Sequence, residues 1–294
     1  MVYWAPFRCA DISARIIMIL IYLFVTCTAI AFVFARYSSF PSKVRPYYFL
    51  VLILYIVFSV LWITAHINLS WLDAGSVERE LEVYKNSPLS AQLEDRIANF
   101  SLCKKCHLPK SKRTHHCSQC KKCYFRFDHH CPAIGNCVAL KNMKPFILFM
   151  VYSCFLVITA GSSALLYLGE DDSDMKIIYW LIFGSCCAMG IYVACFGLSF
   201  CGNTCNDHTT LEGIAKEDKH KYSLGSLTNF KQIFGEHWYE WFIPTQNKFG
   251  GFVWAQIHEE IDNRIQEATQ QHDSSNTNPQ PSDQQPDAPL TPEA

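Results

Sequence analysis

The chain has 294 residues, of which 50% are hydrophobic, 17% are charged and 15 are cysteine. The charged share is well below the roughly 25% of ordinary soluble domains, and a formal net charge of -1 excludes a basic nucleic-acid coat as the basis of function. The cysteines admit a disulfide scaffold or a metal and thiol site, and their positions must decide.

In chain order, four segments contain no Asp, Glu, Lys or Arg: Ile16 to Ala35, Pro46 to Leu72, Pro145 to Gly169 and Ile177 to Asn206. Each reaches the roughly 20 residues a helix needs to cross a ~30 Å hydrocarbon core. Backbone in lipid must bond internally, so all four are expected to be transmembrane helices. The first is too long for a signal-peptide core of about 7–15 residues. An even number of spans puts both termini on one side. The loop from Ile67 to Lys144 holds 13 Lys or Arg, against Arg36, Lys43, Arg45 and Lys176 on the opposite side, which places the termini and this loop in the cytosol. The Asn68 and Asn99 sequons should then stay unmodified.

Seven of the 15 cysteines and five of the 11 histidines fall between Cys103 and Cys137. The order is Cys103-x2-Cys106, His115-His116-Cys117-x2-Cys120-x2-Cys123, Asp128-His129-His130-Cys131 and Cys137. Repeated Cys-x2-Cys pairs with interleaved His are a zinc pattern, because tetrahedral zinc takes four thiolate or imidazole ligands and short spacings supply two from one turn. Disulfides are disfavoured by a cytosolic location. Two sites of three Cys and one His would use six cysteines and two histidines and leave one thiol over. Spacing does not say which. A spare thiol beside spare histidines is a candidate nucleophile. In an extended segment residues two apart share a side, so His129 and Cys131 would meet while His130 points away; Asp128 would need a bend to reach His129.

This segment resembles the cysteine-rich domain of the DHHC family of protein S-acyltransferases, or palmitoyltransferases. The resemblance rests on Asp128-His129-His130-Cys131, on the surrounding Cys and His spacing, and on Pro132, Asn136, Val138, Asn142 and Phe146. Thr209-Thr210-Leu211-Glu212 is similar to the family's Thr-Thr-x-Glu, and Asn229 to Gly235 to its Asn-centred C-terminal motif. The resemblance implies a mainly α, polytopic membrane protein with four transmembrane helices and a small cytosolic two-zinc domain between helices 2 and 3. It implies one structural zinc on Cys103, Cys106, His116 and Cys123, another on Cys117, Cys120, His130 and Cys137, and Cys131 as nucleophile with His129 as base and Asp128 as its support. The implied reaction moves a long-chain acyl group from acyl-CoA (palmitoyl-CoA) through an acyl-enzyme to cytosolic cysteines of membrane or membrane-associated proteins, with no nucleic-acid partner. A catalytically weak DHHC-like membrane scaffold is the alternative.

Arg113 and Lys110 are expected to meet CoA phosphates, although a solvated basic face reads equally well for most of the neighbouring lysines. Thr209 and Thr210 are expected either to support the site or to cap a helix. His115 is expected to be a surface or supporting histidine. Phe230, Phe234, Trp238, Trp241 and Phe242 fit an interfacial anchor or a small core, and Cys9, Cys201 and Cys205 fit juxtamembrane acylation sites or apolar filler. Ala133 stands where the family usually has Trp, Ala139 where it has Gly, Ser111 where it has Pro, and Asp73-Ala74-Gly75 for Asp-Pro-Gly. The expected layout is residues 1–70 with helices 1 and 2, 71–144 the zinc domain, 145–206 helices 3 and 4, 207–268 a cytosolic C-terminal segment, and 269–294 a disordered tail with five prolines and no Lys or Arg. The expected location is an endomembrane such as the Golgi, or the plasma membrane.

Overall fold

A computed structural model describes residues 12–20, 22–23, 26–27, 45–86, 97–98, 100–167, 176–248 and 250–276. Three long helices dominate: α1 (Arg45–Trp71), α3 (Met143–Tyr167) and α4 (Lys176–Cys205). All three are long and apolar enough to cross a membrane. They coincide with the second, third and fourth uncharged runs, and their outward faces are apolar, with Ile53, Val60, Ile158, Leu181 and Ile191 exposed. The expected first span, Ile16 to Ala35, lies largely outside the described residues, of which 12–20 are helical. α3 packs along both α1 and α4. Close approach is helped by Gly197, where a Cβ would stand 3.2 Å from Met150.

Between α1 and α3 come α2 (Val77–Lys85) and three antiparallel hairpins. These are β1–β2 (Ser101–Leu102 with Pro109–Lys110), β3–β4 (Thr114–Cys117 with Lys122–Phe125) and β5–β6 (His129–Cys131 with Asn136–Val138). Strands this short cannot form a stable sheet on their own. After α4 follow α5 (Thr210–Ile214), α6 (Ser226–Phe234), a 3-10 turn (Trp238–Phe242) and α7 (Gly251–Asn276).

Asparagine side chains seat these elements on the carbonyl ends of the spanning helices, where four C=O groups lack intrahelical donors. Asn136 Nδ2 donates to Leu69 O and Leu72 O, both at 2.9 Å, and Asn142 Nδ2 donates to Cys137 O at 2.7 Å and Leu69 O at 3.4 Å. At the end of α4, Asn229 Nδ2 donates to Cys205 O at 2.9 Å. The turn out of α1 is closed by Asp73, whose carboxylate accepts from the N–H groups of Gly75 and Ser76. Gly75 has φ +98, and a Cβ there would stand 2.7 Å from Lys141 Cγ, so the position needs glycine.

α7 was not legible as a docking helix. It buries Phe252, Trp254, Ala255, His258 and Asp262, with Phe252 edge-on to Phe125 and Tyr84. It also runs to Asn276, so residues 269–276, expected to be disordered, are helical. Of these only Gln270 and Gln271 are good helix formers, so the stretch is carried on from the buried start of the helix. Residues 277–294 of the expected tail lie outside the described residues.

Candidate active site and metal centres

Two Cys-x2-Cys turns are built alike. His107 N–H donates to Cys103 O and Lys121 N–H to Cys117 O, both at 2.8 Å, and His107 and Lys121 both take left-handed backbone (φ 55 and 58). The turns aim backbone donors at sulfur: Lys105 N–H at Cys103 Sγ (3.5 Å) and Cys120 N–H at Cys117 Sγ (3.3 Å). Such donors favour thiolate over thiol.

The turns assemble two donor sets, Cys103, Cys106, His116 and Cys123 in one and Cys117, Cys120, His130 and Cys137 in the other, with the ligand atoms of each within 4.8 Å of one another. In the second set His130 Nδ1 lies 3.8, 3.4 and 3.7 Å from the sulfurs of Cys117, Cys120 and Cys137. In the first, His116 Nδ1 lies 3.8 and 3.7 Å from those of Cys103 and Cys123. A tetrahedron with bonds of roughly 2.0–2.3 Å has edges of about 3.4–3.8 Å, so the donor sets fit zinc in geometry and chemistry. Cys131 and His115 lie outside both sets. His115 is half-buried on β3, with its ring 6.5 Å from Phe127.

β5 is extended, with His130↔Cys137 and Cys131↔Asn136 in register with β6. His130 turns to the metal set, and the His129 imidazole and the Cys131 thiol influence each other's charge. The bend that brings Asp128 onto His129 follows Arg126, which has φ +46. Asp128 Oδ2 lies 2.8 Å from His129 Nδ1, and Asp128 Oδ1 accepts the Thr210 N–H at 2.9 Å.

The electrostatics follow from these contacts. Burial pushes the Asp128 carboxyl up, but His129 and the Thr210 N–H hold it below its ordinary value. Burial lowers the His129 imidazole, and Asp128 and Cys131 more than offset this, raising it to about 9. Burial raises the Cys131 thiol, but His129 and the N–H groups of Ile134 and Ala133 bring it below its ordinary value. The surroundings therefore favour charge on His129 and on Cys131, with amides of the β5–β6 turn at the sulfur. Arg15, fully buried, donates through Nη2 to Gly135 O in that same turn. The His129 ring sits 5.6 Å from Phe146 of α3 and 5.8 Å from Phe200 of α4. The reactive groups thus rest on the ends of two membrane-length helices.

Thr209 is the N-cap of α5: its hydroxyl accepts from Glu212 N–H, and the Glu212 carboxylate accepts from Thr209 N–H. This capping box orients the Thr210 N–H toward Asp128. Arg113 holds the box from behind. It is 3% exposed, donating to Glu212 Oε1 and Oε2 at 2.6 and 3.0 Å and to Asp207 Oδ2 and O at 2.7 Å each. Tyr222 and Trp254 stack on its guanidinium. Arg113 is therefore a structural arginine rather than a solvent-facing partner for phosphate. Lys110, half-buried on β2, lies beside His115 and His116.

Two members of this network, Asp207 and His258, were missed in the sequence. Asp207 accepts from Arg113, from Arg126 Nε at 3.0 Å and lies 2.6 Å from His258 Nε2. Burial would raise the Asp207 carboxyl, but Arg113, the His258 hydrogen bond and Arg126 hold it far below its ordinary value. The spacing Trp254, His258, Asp262 was the available signal, since residues four apart share a helix face.

Comparison with known proteins points the same way. Residues 97–217 match the DHHC palmitoyltransferase family model. Palmitoyltransferase ZDHHC2 of Danio rerio is 31% identical over 205 residues, 62% of this chain and 56% of that protein. The human palmitoyltransferase ZDHHC2 is 28% identical over 203 residues, 62% of this chain and 55% of that protein. The probable protein S-acyltransferase 13 of Arabidopsis thaliana is 30% identical over 213 residues, 65% of this chain and 69% of that protein. The chain spans little more than half the length of the ZDHHC2 relatives. The match runs from just before Cys103 past Glu212, taking in both donor sets, the Asp128–Cys131 run and the α5 cap that supports it, and the chain belongs to the DHHC palmitoyltransferase family.

Proposed function

We propose that the protein is a protein-cysteine S-acyltransferase acting at the cytosolic face of a membrane. The observation that carries this reading is the Asp128–His129 pair, with His129 and Cys131 together on the short strand β5 and the His129 ring against α3 and α4. The Cys131 thiolate attacks the thioester carbonyl of a long-chain acyl-CoA, a sulfur–carbon bond forms, and CoA leaves as its thiolate. His129 gives CoA its proton. In the second half, His129 takes the proton from a substrate cysteine thiol, that sulfur attacks the acyl-enzyme, and Cys131 leaves as thiolate. Asp128 holds the His129 Nδ1–H and supports the imidazolium. The N–H groups of Ala133 and Ile134 lie where they stabilise negative charge at sulfur.

Zinc held by the two Cys3His sets would be structural, cross-linking the hairpins through closed sites with no open position for substrate. His130 then fixes β5 from one side while His129 and Cys131 face the other. A long acyl chain gains about 0.8 kcal/mol per buried methylene, so a nucleophile resting on the ends of membrane helices suits this substrate class. The protein substrates are membrane or membrane-associated proteins with cytosolic cysteines, and Lys110 remains available to a CoA phosphate.

The test is acylation of the purified chain by labelled palmitoyl-CoA, followed by transfer to a cysteine-containing acceptor. Hydroxylamine-sensitive label is expected on the wild type and absent from Cys131→Ser. Label that persists in Cys131→Ser would overturn the assignment of the nucleophile; no label on the wild type would favour the scaffold.

A further inference from the structure

A cavity of about 410 Å³ opens beside the Met143 end of α3, walled by the C-terminal end of α6, the 3-10 turn and residues 245–248. Lys144, in the first turn of α3, lines it and is 3% exposed. Its ammonium donates to Thr245 Oγ1 at 3.3 Å. The two other lysines of the lining are neutralised at the rim, Lys231 by Glu236 at 3.2 Å and Lys248 by Glu240 at 2.7 Å. Among the described residues, Lys144 has no carboxylate within ion-pairing distance. Buried charges are normally paired, and the carboxylate whose charge reaches Lys144 is Glu240, already held by Lys248, so the lining sets three lysines against two glutamates and keeps a positive excess.

The depth of the cavity identifies the medium it meets. The 3-10 turn presents Trp238, Tyr239 and Phe242 outward, 69, 53 and 60% exposed. Phe242 O accepts the Tyr152 hydroxyl of α3, and Pro244 O accepts Asn68 Nδ2 of α1 at 2.8 Å. The turn therefore lies against the last turn of α1 and the first half of α3 with an aromatic outer face, the composition of a membrane–water interface. Glycine at 235 is what admits this wall: a Cβ there would stand 2.3 Å from Glu240 Oε2. A cation at headgroup depth under an aromatic rim suits an acidic lipid better than a soluble anion.

We propose that this cavity binds an acidic glycerophospholipid, whose headgroup phosphate pairs with Lys144 while its acyl chains lie along Trp238 and Phe242. The site is separate from the Asp128–Cys131 run, and the proposal does not depend on the acyl-transfer reading.

The experiment reconstitutes the full chain in nanodiscs and uses phosphatidylinositol and phosphatidylcholine as probes, with native mass spectrometry of retained lipid after detergent extraction. Wild type and Lys144→Arg are expected to retain phosphatidylinositol over phosphatidylcholine. Lys144→Gln is expected to lose that retention by on the order of tenfold, the scale of one charge-assisted contact, with zinc content unchanged. Equal retention by Lys144→Gln, or equal retention of the two lipids, overturns the proposal. So does an equal rise in unfolding temperature from inorganic phosphate alone, which would make the ligand a soluble anion. In case Lys144→Gln does not fold, a photoreactive phosphatidylinositol is applied to the wild type. Label in the 231–248 region supports the site, and label only elsewhere overturns it.

Discussion

Thr210 and Asp128 lie 82 residues apart and are joined by one backbone hydrogen bond of 2.9 Å, made to the carboxylate oxygen that His129 does not use. One end of the His129 support therefore belongs to α5, an element beyond the fourth uncharged run. Asp128→Asn keeps the shape of this contact and removes the charge that supports the imidazolium. It is expected to lower the rate of Cys131 acylation by roughly 10²–10⁴-fold, the range of a positioned acid–base group, with both metal sites filled. Single-turnover acylation with labelled palmitoyl-CoA measures it, and an unchanged rate would remove Asp128 from the mechanism.

Arg113 is the second support of α5, acting through Glu212. Replacing it with alanine leaves Asp207 and Glu212 buried with less counter-charge, and breaking such a pair costs about 3–5 kcal/mol. Arg113→Lys is expected to recover little, because an ammonium cannot bridge Asp207 and both oxygens of Glu212 in the planar manner seen here. Thermal unfolding in detergent should show a clear loss for both variants. A stable Arg113→Lys protein with normal acylation would show that the bidentate geometry is dispensable.

The two donor sets should separate in their consequences. His130 and Cys137 tie β5 to β6 directly, so His130→Ala is expected to halve the zinc content and abolish Cys131 acylation. Cys103→Ser, in the set that clamps β1–β2 and β3–β4, is expected to halve the zinc content with a smaller acylation defect, because its ligands lie outside the hairpin that carries Cys131. Metal analysis alongside acylation decides this. Equal defects would mean the whole domain unfolds as one unit when either ion is lost.

How much of this was legible in the sequence depended on range. Apolar runs without charge marked α1, α3 and α4 to within a few residues, because lipid tolerates few alternatives. The Cys and His spacings marked a two-site zinc pattern, since each knuckle is a local turn, while the membership of each donor set came from the family resemblance. The same extended-strand logic placed His129 and Cys131 on one side. What escaped was long-range pairing. A lone basic residue such as Arg113 looks the same whether it faces phosphate or lies 94 residues from its buried partner Asp207. His258, 51 residues beyond Asp207, shares a helix face with Trp254 and Asp262, but that spacing does not name its partner. At the tail, composition shifts at Thr269, while the helix that begins with buried Phe252 and Trp254 runs on to Asn276.

That helix leads to a graded truncation. Its first half is buried: Phe252 and Trp254 are fully covered, His258 reaches Asp207, and Asp262 accepts from Lys112, Lys221 and Tyr222. Beyond Asp262 the residues to Gln271 are exposed. Ending the chain after Ala268 should therefore leave stability within about 0.5 kcal/mol of the full chain, as for changes at exposed positions. Ending it after Gly250 removes the ring that packs edge-on to Phe125, the aromatic face over Arg113 and one partner of Asp207 together. Burial of large aromatic side chains alone is worth about 1.5–3 kcal/mol each, so this shorter chain should unfold at a markedly lower temperature or fail to accumulate. It should also lose Cys131 acylation, because Asp207 and Arg113 together hold the α5 cap that aims Thr210 at Asp128. A 250-residue chain with wild-type unfolding and acylation would show that α7 is a passive appendage.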